Sequence, residues 1–238
     1  MVAMLAGALT KSVTGLGLPL IAIPVMALFI DVVDAVVVMS IPTVTANALL
    51  VAEHRAAWPE ARPRVAMMVA TGVIGAVAGA FLLAQLDPRI LTLTLAALVL
   101  GYVATRLIRS DFEWPPAVAR YGTPWVGMLS GVLQGATGIS GPLLATWMHG
   151  LGLARRLFVF SLTLLFTVLG LAQLAGLTFV GLWTWERLGT SLAALIPVLV
   201  VMPIGMRLAR GLAAEVFDKA VLVVLCVSAL ALVARSVS

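Results

Sequence analysis

Long apolar stretches alternate with short polar breaks along the whole chain. Eight stretches run at about 1–30, 35–53, 65–85, 90–108, 124–151, 158–180, 189–209 and 218–235. Most approach the roughly 20 apolar residues that a helix needs to cross the hydrocarbon core of a membrane. The pattern predicts an all-α polytopic membrane protein with a single membrane domain, residues 1–238.

The first and fifth stretches are interrupted in the same way, by "TGLGLPL" (14–20) and "TGISGPL" (137–143). A shift of 123 positions lays Thr14, Gly15 and Pro19 on Thr137, Gly138 and Pro142. Such a duplication predicts two homologous halves, a first repeat of about 1–110 and a second of about 120–238.

The positions of the basic residues bear on how many stretches cross the membrane. If all eight cross, the basic residues after Lys11 divide eight to six between the two sides, which orients nothing. If the first and fifth stretches enter and turn back, one side keeps only Arg89, Arg187 and Arg235. That asymmetry is the positive-inside pattern. It predicts six full spans, two re-entrant hairpins and extracytoplasmic termini; eight spans stay the alternative, since deep hairpins resemble spans in sequence.

Each interrupted stretch is long enough for two half-helices of roughly 12 residues, with the glycine–proline break at the turn. Three full spans per repeat is an odd number, so the second repeat is inverted relative to the first. Inverted-topology repeats with helices broken near the midplane are typical of secondary transporters. The fold class predicted is therefore two inverted repeats, each a re-entrant hairpin plus three transmembrane helices.

Composition supports this class and excludes others. The chain is 62% hydrophobic and 11% charged, with a mean hydropathy of +1.15, whereas soluble domains carry about 25% charged residues. The net charge of +5 comes from arginines in short loops, which indicates membrane orientation and not a nucleic-acid partner. Cys226 is the single cysteine, so neither an internal disulfide nor a cysteine-based metal site is expected, and no cofactor is predicted.

The two breaks predict an oxyanion site. A second half-helix that begins at each break points unpaired N–H groups and a partial positive charge toward the midplane. Glycines permit the turn and a close approach of ligand to backbone, and hydroxyl groups stand beside them. The residues are Gly15, Gly17, Gly138 and Gly141 with Thr14, Thr137 and Ser140.

Lys11 lies roughly 16 Å into the first stretch, near the middle of a hydrocarbon core about 30 Å thick. A charge at that depth is costly and is usually functional, and an anionic substrate would compensate it. The alternative is a shallow hairpin from which Lys11 reaches the membrane surface. Ser12 beside it joins the candidate site.

Three amide side chains lie within stretches. Gln134 falls opposite Lys11 at the shift of 123 and is assigned to the site, while Asn47 and Gln173 either line a pathway or hydrogen-bond a neighbouring helix. "GVIGAVAG" (72–79) spaces small residues as a helix-packing face does. The predicted substrate-binding residues are Lys11, Ser12, Thr14, Gly15, Gly17, Asn47, Gln134, Thr137, Gly138, Ser140 and Gly141.

Two other functions compete with anion transport. "GISG" (138–141) matches the GxSG motif of rhomboid-type intramembrane proteases, but "TGLGLPL" has Gly17 where Ser140 stands, which favours a backbone role over a nucleophile. A cation-coupled or cation transporter could use exposed carbonyl groups, and it is disfavoured by Lys11 and by the lack of carboxylates at membrane depth. No enzymatic activity is expected.

The duplicated motifs "TGLGLPL" and "GVLQGATGISGPLL" resemble those of the sulfite exporter TauE/SafE family of bacterial membrane transporters. The resemblance implies a secondary transporter of a small sulfur-containing anion (sulfite, a sulfonate or a sulfoacetate-like compound) in the bacterial inner membrane. It implies alternating access around a midplane site, with the lipid bilayer and the anion as partners and a coupling ion as a further one. No GxxxxGK[ST] loop for ATP is present.

The predicted topology can be tested with a reporter fused after Ser238. An odd number of spans in each inverted half places the C-terminus outside the cytoplasm, so an alkaline phosphatase fusion is expected to be active and a green fluorescent protein fusion dark. A fusion within residues 53–57 serves as the cytoplasmic control. A cytoplasmic C-terminus would eliminate this topology.

Overall fold

The computed structural model describes residues 17–107, 113–208 and 214–237, and these ranges are helical without a strand. Their α-helices are α1 Leu18–Ala27, α2 Val32–Glu53, α3 Trp58–Gln85, α4 Pro88–Leu107, α5 Pro116–Thr137, α6 Gly141–His149, α7 Arg155–Phe179, α8 Trp185–Leu208 and α9 Ala214–Val237. A short 3₁₀ helix, Arg55–Ala57, lies between α2 and α3. The predicted all-α class is confirmed.

Within the described ranges, four helices are long and apolar enough to cross a membrane. They comprise Val32–Glu53, Val65–Gln85, Arg156–Phe179 and Trp185–Met202, and shorter apolar helices cover Leu18–Ala27, Pro88–Ala104 and Leu222–Ser236. The chain is therefore a multi-pass membrane protein, as its hydropathy pattern predicted.

Local sequence signals explain where the helices begin. The Asp31 carboxylate accepts a hydrogen bond from the Val33 N–H at 2.8 Å and caps α2, and Asp87 does the same for the Arg89 N–H at 2.7 Å before α4. The helices α3 and α5 begin earlier than the apolar pattern predicted, at Trp58 and Pro116. Each has a proline in its first turn, where a missing N–H costs little.

The helix boundaries of the two halves correspond. Leu18 and Gly141 begin α1 and α6, and Val32 and Arg155 begin α2 and α7. Each of these pairs is separated by the same 123 positions as the duplicated motifs. Two homologous halves require this regularity, and their inverted relation stays a prediction.

The segment formed by α5 and α6 enters and leaves at one end of the helical bundle. The Trp114 N–H donates to the Gly150 carbonyl at 2.7 Å, and the Trp114 indole donates to the Trp147 carbonyl at 3.1 Å. The two indole rings stack with centroids 5.0 Å apart. The chain before α5 thus meets the chain after α6, which is the geometry of a hairpin. Its arms are unequal, 22 and 9 residues, where two arms of roughly 12 were expected.

Two further contacts join breaks that eight spans would place on opposite sides of the membrane. Arg187 Nη2 lies 2.7 Å from Asp34 Oδ1, although Asp34 follows the first stretch and Arg187 follows the sixth. Arg235, at the end of the eighth stretch, donates to the Leu28 carbonyl at 2.7 Å. If the first and fifth stretches turn back, all these residues lie at one end of the bundle. The contacts favour two hairpins over eight spans.

Exposed aromatic residues mark both ends of the bundle. Phe29, Phe179 and Trp185 adjoin in sequence the breaks that hold Asp34 and Arg187, whereas Trp58 and Tyr121 lie at the starts of α3 and α5. Phe29 is 80% exposed and Trp185 is 89% exposed. Aromatic side chains are enriched where a membrane meets water, so these two groups indicate the two interfacial levels.

The closest helix packing joins α3 to α5 through glycines. A Cβ atom added to Gly131 would overlap the Gly72 carbonyl oxygen, and one added to Gly135 would overlap the Ala76 carbonyl oxygen. Added to Gly75, it would overlap the Met128 carbonyl oxygen. The predicted packing role of "GVIGAVAG" is confirmed, and its partner is the long arm of the hairpin.

We expect Gly131→Ala to lower the free energy of unfolding by about 1–3 kcal/mol, because the new methyl group forces α3 and α5 apart. Thermal unfolding in detergent, followed by size-exclusion fluorescence, measures the change. Gly101→Ala is the matched control, since a Cβ at Gly101 meets nothing within 4 Å. Equal unfolding temperatures for the two variants would contradict this account of the interface.

Candidate functional site

The starts of α1 and α6 meet at one small cavity of about 20 Å³. The helices α2, α5 and α7 complete its wall. The lining residues are Gly17, Pro19, Leu20, Thr43, Asn47, Gln134, Gly138, Ile139, Ser140, Gly141 and Phe166. The duplicated motif of each half therefore contributes to the same site.

The backbone at the two breaks explains the glycines. Gly138 ends α5 with φ of 71° and donates its N–H to the Gln134 carbonyl at 2.8 Å, a left-handed cap that favours glycine. Gly17 precedes α1 with φ of 128°, which side chains rarely allow. Ser140 occupies the equivalent position before α6 with φ of −123°. A serine is therefore tolerated in the second half where the first half requires glycine.

Both helices begin at the cavity, α1 at Leu18 and α6 at Gly141. The first hydrogen bonds inside α1 and α6 run from Ile21 to Gly17 at 2.9 Å and from Leu144 to Ser140 at 3.1 Å. The N–H groups in the first turn of a helix have no partner within the helix, although Pro19 and Pro142 contribute none, and such helix starts carry a partial positive charge. Two such starts at one cavity make it attractive to an anion.

Gln134 holds the break between α5 and α6 in place. Its Oε1 accepts a hydrogen bond from the Ser140 hydroxyl at 2.8 Å, and its Nε2 donates to the Gly138 carbonyl at 3.3 Å and to Gln173 Oε1 at 3.1 Å. Gln173 Nε2 donates in turn to the Gly135 carbonyl at 3.3 Å. All these groups are buried, so the network fixes the non-helical backbone. Of its two predicted roles, Gln173 takes that of hydrogen-bonding a neighbouring helix.

Thr137 braces the same turn from outside the cavity. Its hydroxyl donates to the Leu133 carbonyl at 2.7 Å, and its Oγ1 lies 3.2 Å from the Ile139 N–H. The side chain is buried but does not line the cavity. Thr137 therefore supports the shape of the turn, and the ligand contact expected of it stays a prediction.

The α2 wall presents polar atoms without a partner. Asn47 Nδ2 donates to the Thr43 carbonyl at 2.9 Å, whereas Asn47 Oδ1 and Thr43 Oγ1 have no hydrogen-bond partner. Asn47 is 0% exposed and Thr43 is 4% exposed. Buried polar atoms are nearly always paired, so two unpaired atoms in one cavity indicate a place for a ligand.

The structure brings six predicted residues around the cavity: Gly17, Asn47, Gln134, Gly138, Ser140 and Gly141. Lys11, Ser12, Thr14 and Gly15 lie outside the described residues. Sequence reasoning missed Thr43 and Phe166. Thr43 precedes Asn47 by four residues within "TVTANALL", and that helical spacing on one face is the signal that could have found it.

The described lining is neutral, and neither histidine belongs to it. His149 ends α6, while His54 Nδ1 lies 3.0 Å from the Leu50 carbonyl oxygen. Ser140 donates its hydroxyl proton to an amide oxygen and not to an imidazole. This arrangement gives no support to a serine–histidine protease. Among the described residues, no group of three or more His, Cys, Asp or Glu side chains could hold a metal ion.

The family model for the sulfite exporter TauE/SafE matches residues 1–232. The chain belongs to this family. No curated protein and no solved structure matches the chain. Membership implies a membrane transporter of sulfur anions and not an enzyme. In this TauE/SafE protein, the cavity at the two helix starts is the candidate site.

Gly138→Ala tests how closely the turn must fit. The substitution forces a side chain into a left-handed conformation, which costs about 1–2 kcal/mol, and its Cβ would lie 2.6 Å from Ile23 Cδ1. Gly181→Ala is the matched control, because Gly181 has φ of 69° and open space around it. We expect both variants to lose stability, and only Gly138→Ala to lose transport in proteoliposomes. Equal transport by the two variants would show that transport does not depend on the shape of this turn.

Proposed function

We propose that this TauE/SafE protein is a secondary transporter that moves a small sulfur-containing anion, such as sulfite, a sulfonate or a sulfoacetate-like compound. One observation carries the proposal. The starts of two broken helices meet at a buried cavity where Thr43 Oγ1 and Asn47 Oδ1 have no partner. The family match supplies the class of substrate.

The anion would be held mainly by neutral groups. Helix-start N–H groups and the Thr43 hydroxyl are hydrogen-bond donors, and oxyanions accept such bonds readily. Gln134 and Ser140 keep the turn rigid, so the donors are oriented before the ligand arrives. Lys11 and the neighbouring Ser12, Thr14 and Gly15 remain proposed members of the site on sequence grounds, with Lys11 as the counter-charge.

The small size of the cavity supports alternating access as the mechanism. About 20 Å³ is room for roughly one water molecule, whereas sulfite has four heavy atoms. The two halves would move relative to each other to admit the anion from one side and then from the other. We place the protein in the bacterial inner membrane with both termini outside the cytoplasm, because the side rich in arginine is the cytoplasmic one.

A cation transporter is the second candidate, because Asn47 Oδ1 is an acceptor that could contact a cation. The described lining holds no carboxylate, and small cations that are transported are generally bound by carboxylate or several carbonyl oxygens. Two positive helix ends at the cavity also oppose a cation. Anion transport is the better fit.

Thr43→Val tests the site with a substitution that keeps the side-chain shape. It removes one hydroxyl donor, and a hydrogen bond to a charged ligand contributes about 1.5–3 kcal/mol. We expect the apparent affinity for sulfite in proteoliposome uptake or efflux to fall about tenfold or more. Sulfoacetate and methanesulfonate should be assayed in the same preparation.

Thr45→Val is the matched control on the same helix. Thr45 is half-buried and already donates its hydroxyl to the Ile41 carbonyl at 3.0 Å. Loss of the Thr45 hydroxyl is expected to leave transport unchanged. If Thr43→Val transports as well as Thr45→Val, the cavity is not the substrate site. If the unaltered protein moves none of the three anions in either direction, the proposed substrate class is wrong.

A further inference from the structure

The hydrogen-bonding capacity of the hairpin side of the cavity is already used. Both Nε2 contacts of Gln134 and its Oε1 contact are made within the protein, and the Ser140 hydroxyl proton is given to Gln134. These side chains have fixed partners and little left to offer a ligand. The side-chain atoms with unused capacity among the described lining belong to α2, on the opposite wall.

The orientation of the Asn47 amide is fixed by its own helix. The Thr43 carbonyl oxygen can only accept a hydrogen bond, so the group 2.9 Å away from it is the NH₂ of Asn47. Asn47 Oδ1 is then the atom left without a partner. It is an acceptor with no hydrogen of its own, and burial prevents bulk water from satisfying it.

This arrangement makes an unusual demand on an anion. A ligand at the helix starts must be negative, yet a ligand that also satisfies Asn47 Oδ1 must bring a hydrogen-bond donor. We propose that Asn47 makes the site selective for a monoanion that retains one O–H group, which for sulfite is hydrogensulfite and not the dianion. The O–H donates to Asn47 Oδ1, while the anionic oxygens accept from the Thr43 hydroxyl and the helix-start N–H groups.

The charge of the cavity also favours a monoanion. Lys11, the proposed counter-charge, would balance one negative charge, and the described lining has no cationic side chain to balance a second. Removing a dianion from water is far more costly than removing a monoanion, and neutral donors compensate the smaller cost more completely. Protonation of the ligand therefore lowers its desolvation penalty and supplies the donor that Asn47 lacks.

Charged and titratable groups on the surrounding helices stand away from the cavity lining. Those whose side chains the structure describes are Asp34, Glu53, Arg120, Tyr121, His149 and Arg156. They lie near the ends of α2, α5, α6 and α7, while α1 has none. If one of these groups or Lys11 caused a pH effect on binding, that effect would act on every anion. It would also act on an anion whose own charge does not change with pH.

The inference rests on the proposed function, and binding to the purified protein separates the two. Sulfite is titrated calorimetrically at mildly acidic pH, where hydrogensulfite dominates, and at mildly alkaline pH, where the dianion dominates. Methanesulfonate, a monoanion without an O–H at either pH, is the control. We expect the affinity for total sulfite to fall about tenfold or more with rising pH, since an unpaired buried acceptor is costly, and that for methanesulfonate to be weak and constant.

Asn47→Leu removes the acceptor and is expected to reduce the pH preference to the part that the desolvation of the dianion causes. Hydrogensulfite is then expected to lose its advantage over methanesulfonate. Thr45→Val is expected to retain the preference. If the unaltered protein binds sulfite equally at both pH values, or if Asn47→Leu keeps the full pH dependence, the selectivity for a protonated anion is wrong while sulfur-anion transport stands. If the unaltered protein binds neither anion at either pH, the proposed function falls and the inference with it.

Discussion

A helix that breaks at membrane depth exposes N–H and C=O groups that lipid cannot satisfy, and this constraint governs the site. Around the second break, side chains form hydrogen bonds with these backbone groups and hold the turn. Gln134 bonds to Ser140 and Gly138, and Gln173 ties the same turn to the backbone of α5. The polar groups that have no partner are therefore informative about the ligand. The N–H groups at two helix starts and two atoms of α2 remain for a ligand.

The rigid support for this turn comes from close helix contact. Gly131 and Gly135 let α5 approach α3 until backbone meets backbone, which gives dispersion contacts and immobilises the long arm of the hairpin. The short arm is held at its far end by the stacked Trp114 and Trp147. A hairpin fixed in these ways presents its turn at one depth. A transporter that rocks one half against the other needs such a rigid element at the site.

Much of the fold and of the candidate site could be predicted, because the lipid environment restricts which residues a membrane protein can use. The duplicated motifs predicted two related helix starts, and Gly17, Gly138 and Ser140 do line one cavity. The Thr137 hydroxyl braces the turn with backbone partners in its own segment, and its ligand contact stays a prediction. One expectation failed for a physical reason. The hairpin arms came out unequal, since prolines that open a helix allow α5 to start well before the apolar stretch.

The sequence by itself determined the helical class, the repetition of the break and the asymmetry of the arginines, because lipid demands apolar helices and glycine alone tolerates such turns. Only the tertiary structure decided which buried polar groups have a hydrogen-bond partner and which have none. Asn47 and Gln173 are both buried amides within apolar stretches and read alike in sequence. Packing gave Gln173 two partners on α5 and left Asn47 Oδ1 without one, since hydrogen-bond satisfaction depends on neighbours distant in the chain.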